Sequence, residues 1–142
     1  MIALQYFVPS DFQQLISWSG DEAFLIQWAG PVGHISIGRI ERYNRSARIG
    51  KVLIGNKSSR GKGYGTQIMQ QALRIGFEEL QLHRISLGVF DFNESARRCY
   101  KKLGFVQEGV TRDARRYQDS YWSLIEMSIL EDEWRNMKSL YN

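Results

Sequence analysis

The sequence has 142 residues, of which 43% are hydrophobic and 24% charged, and its formal net charge is +4. This length fits a single domain with one core, and the modest positive charge suits an anionic ligand but is too small to indicate nucleic-acid binding. The lone cysteine, Cys99, excludes an internal disulfide and favours a reducing compartment. No signal peptide or membrane-spanning stretch is evident, so we expect one cytoplasmic domain over residues 1–142, with no membrane or nucleic-acid partner.

The first third of the chain predicts short elements. Residues 2–7 indicate a strand, and the segment that starts at Pro9 indicates a helix ending near Trp18. Residues 23–28 fit either a strand or a helix, because six apolar residues are too few for periodicity to decide. A turn signal at 29–31 then precedes two further strands, which we expect over residues 32–40 and 48–54.

A long amphipathic helix and another strand follow. The apolar positions of the helix fall at helical spacing along one stripe, and they are Met69, Ala72, Leu73, Gly76, Phe77 and Leu80. Residues 84–90 predict a strand that carries Ile85, Leu87 and Val89 on one face.

A second helix begins at 91–93, has Ala96, Cys99, Tyr100 and Leu103 on its apolar stripe and ends at Gly104. Strands over 105–110 and 122–130 and a short helix from 131 complete the chain. The central strand–helix–strand order predicts a parallel crossover among antiparallel strands. The expected fold class is α/β (α+β), with a mixed, mostly antiparallel sheet and helices on both faces.

A glycine-rich segment, SSRGKGYGTQ at 58–67, lies between a strand end and a helix start. Backbone N–H groups and the helix dipole favour an anion there, and the alternate glycines let the backbone approach a phosphate. A Walker loop is excluded because Arg60 occupies the place of its second glycine, and Gly63 the place of its hydroxyl residue. A dinucleotide fingerprint is excluded because Thr66 replaces its third glycine. A flexible turn is the remaining alternative to a phosphate site.

Two motifs resemble the GNAT superfamily of N-acetyltransferases. The segment RGKGYG at 60–65 resembles its coenzyme A pyrophosphate loop, and VFDFNESARRCYKKLGF at 89–105 resembles its second signature. The two occur in the order of the family, and the resemblance covers residues 32–130. It is greatest to the branch that acetylates ribosomal-protein N-termini, polyamines and similar amines, so the implied partner is a small-molecule or peptide amine.

The resemblance implies acetyl-CoA as the acyl donor, and neither it nor the sparse histidines and cysteine indicate a metal. The strand end would pair with the pantetheine arm, the glycine-rich backbone would hold the pyrophosphate, and the second helix would line the pantetheine and adenosine. The implied cofactor-binding residues are Leu53, Ile54, Gly55, Arg60, Gly61, Lys62, Gly63, Tyr64, Gly65, Thr66, Asn93, Ala96 and Arg97.

The implied catalytic residue is Tyr100, which would face the sulfur and protonate the departing thiolate after direct attack by the amine through a tetrahedral intermediate. A backbone N–H at the strand end would stabilise the oxyanion. From the residues alone, Tyr100 also fits core packing and Asn93 fits a helix N-cap. Cys99 fits a small buried residue better than a nucleophile.

The general base is left unassigned. Relatives often carry a glutamate on the strand before the loop, whereas Arg48 stands there, and the other candidates are Glu41, Glu108, Glu126 and His34. At pH 7 an α-amine is about 14% neutral and a lysine side chain about 0.04%, so an α-amine can react without a strong base.

The acceptor side is shortened, because relatives carry a further helix and strand where residue 31 here adjoins residue 32. Residues 23–28 could supply a replacement strand that turns into the next one, or a second subunit could complete the site as a homodimer. The alternative function is a non-catalytic coenzyme A-binding protein with a degenerate acceptor site.

Overall fold

The structure is a computed structural model that describes residues 26–30, 33–54 and 64–141. The chain divides into two compact units, Met1–Ile85 and Ser86–Asn142. The strand expected over 2–7 and the helix expected from Pro9 lie outside the described residues.

The described part of the chain contains six strands and three helices. In order, they are β1 (Ile26–Gly30), β2 (Gly33–Glu41), β3 (Ser46–Ile54), α1 (Tyr64–Arg74) with a π-helical turn (Ile75–Glu79), β4 (Arg84–Phe90), α2 (Glu94–Leu103), β5 (Val106–Tyr117), β6 (Ser120–Leu130) and α3 (Glu131–Tyr141).

The first unit contains an antiparallel meander of β1, β2 and β3. Strand β1 pairs with β2 from Ile26 opposite Ile37 to Gly30 opposite Gly33. The open choice for residues 23–28 is therefore settled as a strand for 26–28, and this strand turns back into the next one as the sequence suggested. Ile35 and Ile37 on β2 are fully buried, which anchors the meander.

A bulge interrupts β2 near its end. The register with β3 shifts between Gly38 and Glu41, and Arg39 has a positive φ of 49°. Arg39 is exposed while Ile40 is buried, so the simple alternation expected for residues 32–40 does not continue through the bulge.

The apolar stripe predicted for the long helix is confirmed, since all six of its residues are buried. The helix does not keep one geometry, however. The α-helix passes into a π turn, in which the Leu80 N–H donates to the Ile75 carbonyl at 2.9 Å. Gly76 lies in this turn, and a Cβ there would be 2.6 Å from Ile85 Cδ1. A side chain at residue 76 would therefore force the end of the Ile85 side chain to move.

In the second unit the strand order is β4-β6-β5. Leu87 and Val89 on β4 are buried and alternate with half-buried residues, as predicted. Strands β5 and β6 form a long antiparallel hairpin that closes where Tyr117 pairs with Ser120. The strands expected over 105–110 and 122–130 were therefore too short at the turn end.

Helix α2 begins and ends as its sequence predicts. The Asn93 side chain accepts a hydrogen bond from the Ala96 N–H at 3.3 Å, which caps the first turn. Gly104 follows the last turn with a φ of 109°, a left-handed conformation that glycine adopts without strain. At the start of α3, Glu133 accepts a hydrogen bond from the Leu130 N–H at 2.9 Å. None of the helices in the described part combines the length and the apolar character needed to cross a bilayer.

Candidate active site

The first unit contains a strand end and a helix start. Leu53 and Ile54 end β3, where they pair with His34 and Gly33 of β2. Helix α1 begins at Tyr64, and Thr66 in its first turn is half-buried. Five predicted cofactor-binding residues lie outside the described residues, namely Gly55, Arg60, Gly61, Lys62 and Gly63.

The first turn of α1 differs from those of the other two helices. Helix α2 has Glu94 in its first turn, and α3 has Glu131, Asp132 and Glu133, whereas α1 has no acidic residue there. Acidic side chains stabilise a helix N-terminus by offsetting its partial positive charge. In α1, therefore, no acidic side chain of the first turn offsets the positive end of the helix dipole.

In the second unit, Asn93 is engaged in the cap of α2. Its Oδ1 accepts the Ala96 N–H and the Ser95 hydroxyl, each at 3.3 Å. The N-cap interpretation is therefore confirmed for the carbonyl oxygen of this side chain, and any contact with a cofactor falls to its amide group.

The Arg97 side chain is also fixed, by a hydrogen bond to the backbone. Its guanidinium donates to the Asp91 carbonyl at 3.1 Å, which ties the first turn of α2 to the end of β4. Ala96 and Arg97 are both half-buried. Helix α2 thus presents Asn93, Ala96 and Arg97 within about one turn, as the second motif implied.

Tyr100 lies on the half-buried face of α2. Burial raises the pKa of its phenol to about 12, and the neighbouring Cys99 adds a smaller contribution in the same direction. The phenol therefore keeps its proton at neutral pH. Its ring lies 5.8 Å from the ring of Phe105 at an angle of 56°. Phe105 was not singled out as a site residue, although the Gly-Phe pair that closes the second motif is the signal that points to it.

The candidate bases differ in their surroundings. Glu41 accepts hydrogen bonds from Asn44 at 3.0 Å and Ser46 at 3.1 Å, which lower the pKa of its exposed carboxyl. This carboxylate holds the turn between β2 and β3, and the lowered pKa makes it a weaker base. Glu108 is exposed on β5, whereas Glu126 is half-buried on β6 opposite Gly109. Only the backbone of His34 is described.

Cys99 is half-buried on α2. Within the described ranges, no three histidine, cysteine, aspartate or glutamate side chains are grouped in a way that could hold a metal ion.

Comparisons with known proteins converge on one family. Residues 3–105 match the model of the "Acetyltransferase (GNAT) family". The chain is 30% identical over 131 residues to the "Putative ribosomal N-acetyltransferase YdaF" of Bacillus subtilis, an alignment that covers 92% of this chain and 70% of that protein. It is also 30% identical over 105 residues to the spermidine N(1)-acetyltransferase of Vibrio cholerae, covering 74% of this chain and 60% of the relative.

A solved structure gives the same fold. A mutant of the spermidine N-acetyltransferase SpeG from Vibrio cholerae matches with a TM-score of 0.75 at 23% identity, covering 96% of this chain and 86% of that one. At this identity the match concerns the fold alone. The chain spans 44–60% of the length of several curated N-acetyltransferases that it matches, so their substrates do not transfer to it directly.

Proposed function

The chain is an acetyltransferase of the GNAT family, and on that premise we propose that it moves an acetyl group from acetyl-CoA to a primary amine by direct attack through a tetrahedral intermediate. The observation that supports this most is the start of α1. A glycine-rich segment leads into a helix whose first turn has no acidic residue, an arrangement that favours an anion such as pyrophosphate.

The cofactor-binding roles follow the motif. The backbone of residues 60–65 would hold the pyrophosphate, with Arg60 and Lys62 adding positive charge and Thr66 following in the helix. Leu53, Ile54 and Gly55 would pair with the pantetheine arm through their backbone groups. Acetyl-CoA supplies the activated acetyl group, and a backbone N–H at this strand end would stabilise the oxyanion.

Tyr100 would act on the departing sulfur. A thiol has a pKa of about 8.5, so complete proton transfer from a phenol whose pKa is about 12 is uphill in isolation. This cost is offset when the attacking amine, which turns cationic as the C–N bond forms, passes its surplus proton to the Tyr100 oxygen, so that the phenol is restored as the thiol leaves. We therefore propose that Tyr100 donates its hydrogen bond to sulfur throughout and passes its proton as the C–S bond breaks.

The acceptor we favour is a peptide α-amine. Arg48 stands at the place where relatives often have a glutamate, and the pKa of the Glu41 carboxyl is lowered by its two hydrogen bonds. Since an α-amine is partly neutral at pH 7 and a polyamine is almost wholly charged, the α-amine depends less on a base. One relative is named a putative ribosomal N-acetyltransferase and another a spermidine N(1)-acetyltransferase, and both names denote acetyl transfer to nitrogen.

Release of free thiol from acetyl-CoA tests the proposal. The acceptors are a short peptide with a free N-terminus, the same peptide with an acetylated N-terminus as the control, and spermidine. We expect the free peptide to support thiol release, either as the only acceptor that does so or at a rate well above that with spermidine. Cofactor binding is measured in parallel, because acetyl-CoA at a hundredfold excess over its dissociation constant stabilises the fold by about 2.7 kcal/mol. If acetyl-CoA stabilises the fold but no amine acceptor causes release of its thiol, the alternative holds, a non-catalytic coenzyme A-binding protein.

A further inference from the structure

The second unit contains a cavity of about 250 Å³ beside α2. The residues that line it are Glu94, Arg97, Arg98, Lys101, Gln107 and Met127. The first four recur along α2 at intervals of three and four residues, so they share one helix face over two turns. Three of them are cations and one is a carboxylate, which leaves a net charge of +2 at the rim.

The floor of the cavity comes from the hairpin. Gln107 on β5 and Met127 on β6 are directly opposed in the antiparallel register, so their side chains lie on the same face of the sheet. Met127 is only 3% exposed, whereas Gln107 is exposed. The cavity therefore combines an apolar floor with an amide that can donate hydrogen bonds.

The two arginines differ in how they are held. The Arg97 guanidinium is fixed by the Asp91 carbonyl at 3.1 Å. Arg98 faces Glu94 at 4.0 Å, and both side chains are about three-quarters exposed. An exposed pair at this distance contributes little stability, so Arg98 can turn toward a ligand at small cost.

We propose that this cavity binds a phosphate monoester. A phosphate monoester carries a charge of about −1.5 to −2 at pH 7, which the rim balances. Guanidinium, ammonium and amide groups supply the donors that phosphate oxygens accept. Pockets that enclose a whole drug-sized ligand measure roughly 300–1,000 Å³, so this cavity suits a single group better than an entire larger molecule. The phosphate is either the 3′-phosphate of coenzyme A, which rests on the proposed function, or that of a separate ligand.

Lys101→Gln tests the proposal, with Lys102→Gln as the matched control. The two lysines are adjacent and exposed, and only Lys101 lines the cavity. Binding of inorganic phosphate is measured by titration calorimetry at constant ionic strength. We expect Lys101→Gln to weaken binding at least about tenfold, the loss of one charge-assisted hydrogen bond, and Lys102→Gln to change it less than about twofold.

A comparison of the affinities for coenzyme A and for dephospho-coenzyme A, which lacks the 3′-phosphate, shows which molecule carries the phosphate that the cavity binds. If wild type prefers coenzyme A and Lys101→Gln abolishes that preference, the cavity holds the cofactor's own phosphate. If Lys101→Gln weakens inorganic phosphate and leaves both cofactors unchanged, the cavity serves a separate phosphorylated ligand. Equal effects of the two lysine variants, or no phosphate binding and no effect on either cofactor, would overturn the proposal. The phosphate measurement decides this even if the chain binds no acetyl-CoA.

Discussion

Tyr100 and Phe105 are joined twice, through the backbone and through their rings. The Phe105 N–H donates to the Tyr100 carbonyl at 3.0 Å, and the two ring centroids lie 5.8 Å apart. Gly104 lies between them with a left-handed backbone, which lets the chain turn back on the helix end. The orientation of the Tyr100 ring is therefore tied to the C-terminal cap of α2.

Tyr100→Phe keeps the ring and both of these contacts, so it removes the hydroxyl alone. We expect the turnover number to fall by about a hundredfold or more, the usual contribution of a general acid, while the affinity for acetyl-CoA stays within about threefold. Thiol release at saturating substrates gives the first quantity, and a binding titration gives the second. Tyr121→Phe, on an exposed residue of β6, is the control. Equal losses of turnover and affinity would show that the hydroxyl has a structural role.

The raised pKa of Tyr100 predicts how activity depends on pH. With a pKa of about 12, the phenol stays protonated across the range in which an α-amine loses its proton. The rate should rise with pH toward a plateau near the amine pKa of about 8 and should not decline because of Tyr100 below about pH 11. A rising limb that stays in place when the acceptor's pKa is changed would contradict its assignment to the amine, and a fall in kcat between pH 8 and 10 that is absent in Tyr100→Phe would contradict the raised pKa.

The same shift predicts a loss of stability in alkali. The unfolded chain releases the Tyr100 proton near pH 10, whereas the folded chain keeps it to about pH 12. The contribution of the Tyr100 phenol to the free energy of unfolding is therefore intact below pH 10. It is lost between pH 10 and 12, by up to about 3 kcal/mol. Unfolding by urea at several pH values measures it. Tyr100→Phe, which has no proton to release, should show a smaller decline over this interval, and parallel curves would refute the shift.

Asn93→Ser separates the two roles of Asn93. A serine hydroxyl accepts the Ala96 N–H as asparagine does, so stability should change by less than about 0.5 kcal/mol, whereas Asn93→Ala should cost about 1 kcal/mol. Because serine lacks the amide, we expect affinity for acetyl-CoA to fall about tenfold in both variants. Unchanged affinity in Asn93→Ser would mean that the residue acts only as a cap.

Gly63→Val tests the phosphate-binding backbone. A side chain at this position would occupy the space that the pyrophosphate needs, so acetyl-CoA should no longer bind measurably. Gly109→Val is the matched control, because a Cβ at Gly109 on β5 meets no atom within 4 Å. Binding is measured by titration with acetyl-CoA, and undiminished affinity in Gly63→Val would remove the pyrophosphate assignment.

Gly76→Ala tests the packing of the π turn. Its Cβ would lie 2.6 Å from Ile85 Cδ1, so the end of the Ile85 side chain, which is fully buried, would have to turn away and repack. We expect a loss of about 1–3 kcal/mol in the free energy of unfolding. Ile85→Val removes the conflicting methyl group and alone costs about 0.5–1.5 kcal/mol. The double variant should be more stable than the sum of the two losses predicts, and strict additivity would show that the methyl group is not the obstacle.

Periodicity predicted the elements that face a core. The α/β fold class, the buried stripe of α1 and the alternation of β4 are confirmed, because each has apolar residues at the spacing of its element. The turn end of β5 was not predicted, because its residues lack apolar side chains at the spacing of a strand. Residues 111–117 carry three arginines and an aspartate and are almost all exposed, so no apolar alternation marks them as a strand. These residues form a strand only because their backbone pairs with β6.

The parts of the candidate site that short sequence motifs determine could be predicted. The cap at Asn93 and the stop at Gly104 follow from residue type, and both are confirmed. The cavity beside α2 was not predictable, because it depends on the register that places Gln107 opposite Met127. Register across a bulged hairpin is a tertiary property, and the shift between Gln107 and Gly109 cannot be derived from residue spacing.

The hairpin of β5 and β6 is buried more deeply at the end away from its turn. Its 12-residue strand β5 would span about 40 Å when fully extended. On β6, Met127 and Ile129 are buried, whereas Ser120 and Tyr121 at the turn are exposed. Amide protons near the turn should therefore exchange with solvent through local unzipping, and those near Ile129 only when the whole unit unfolds.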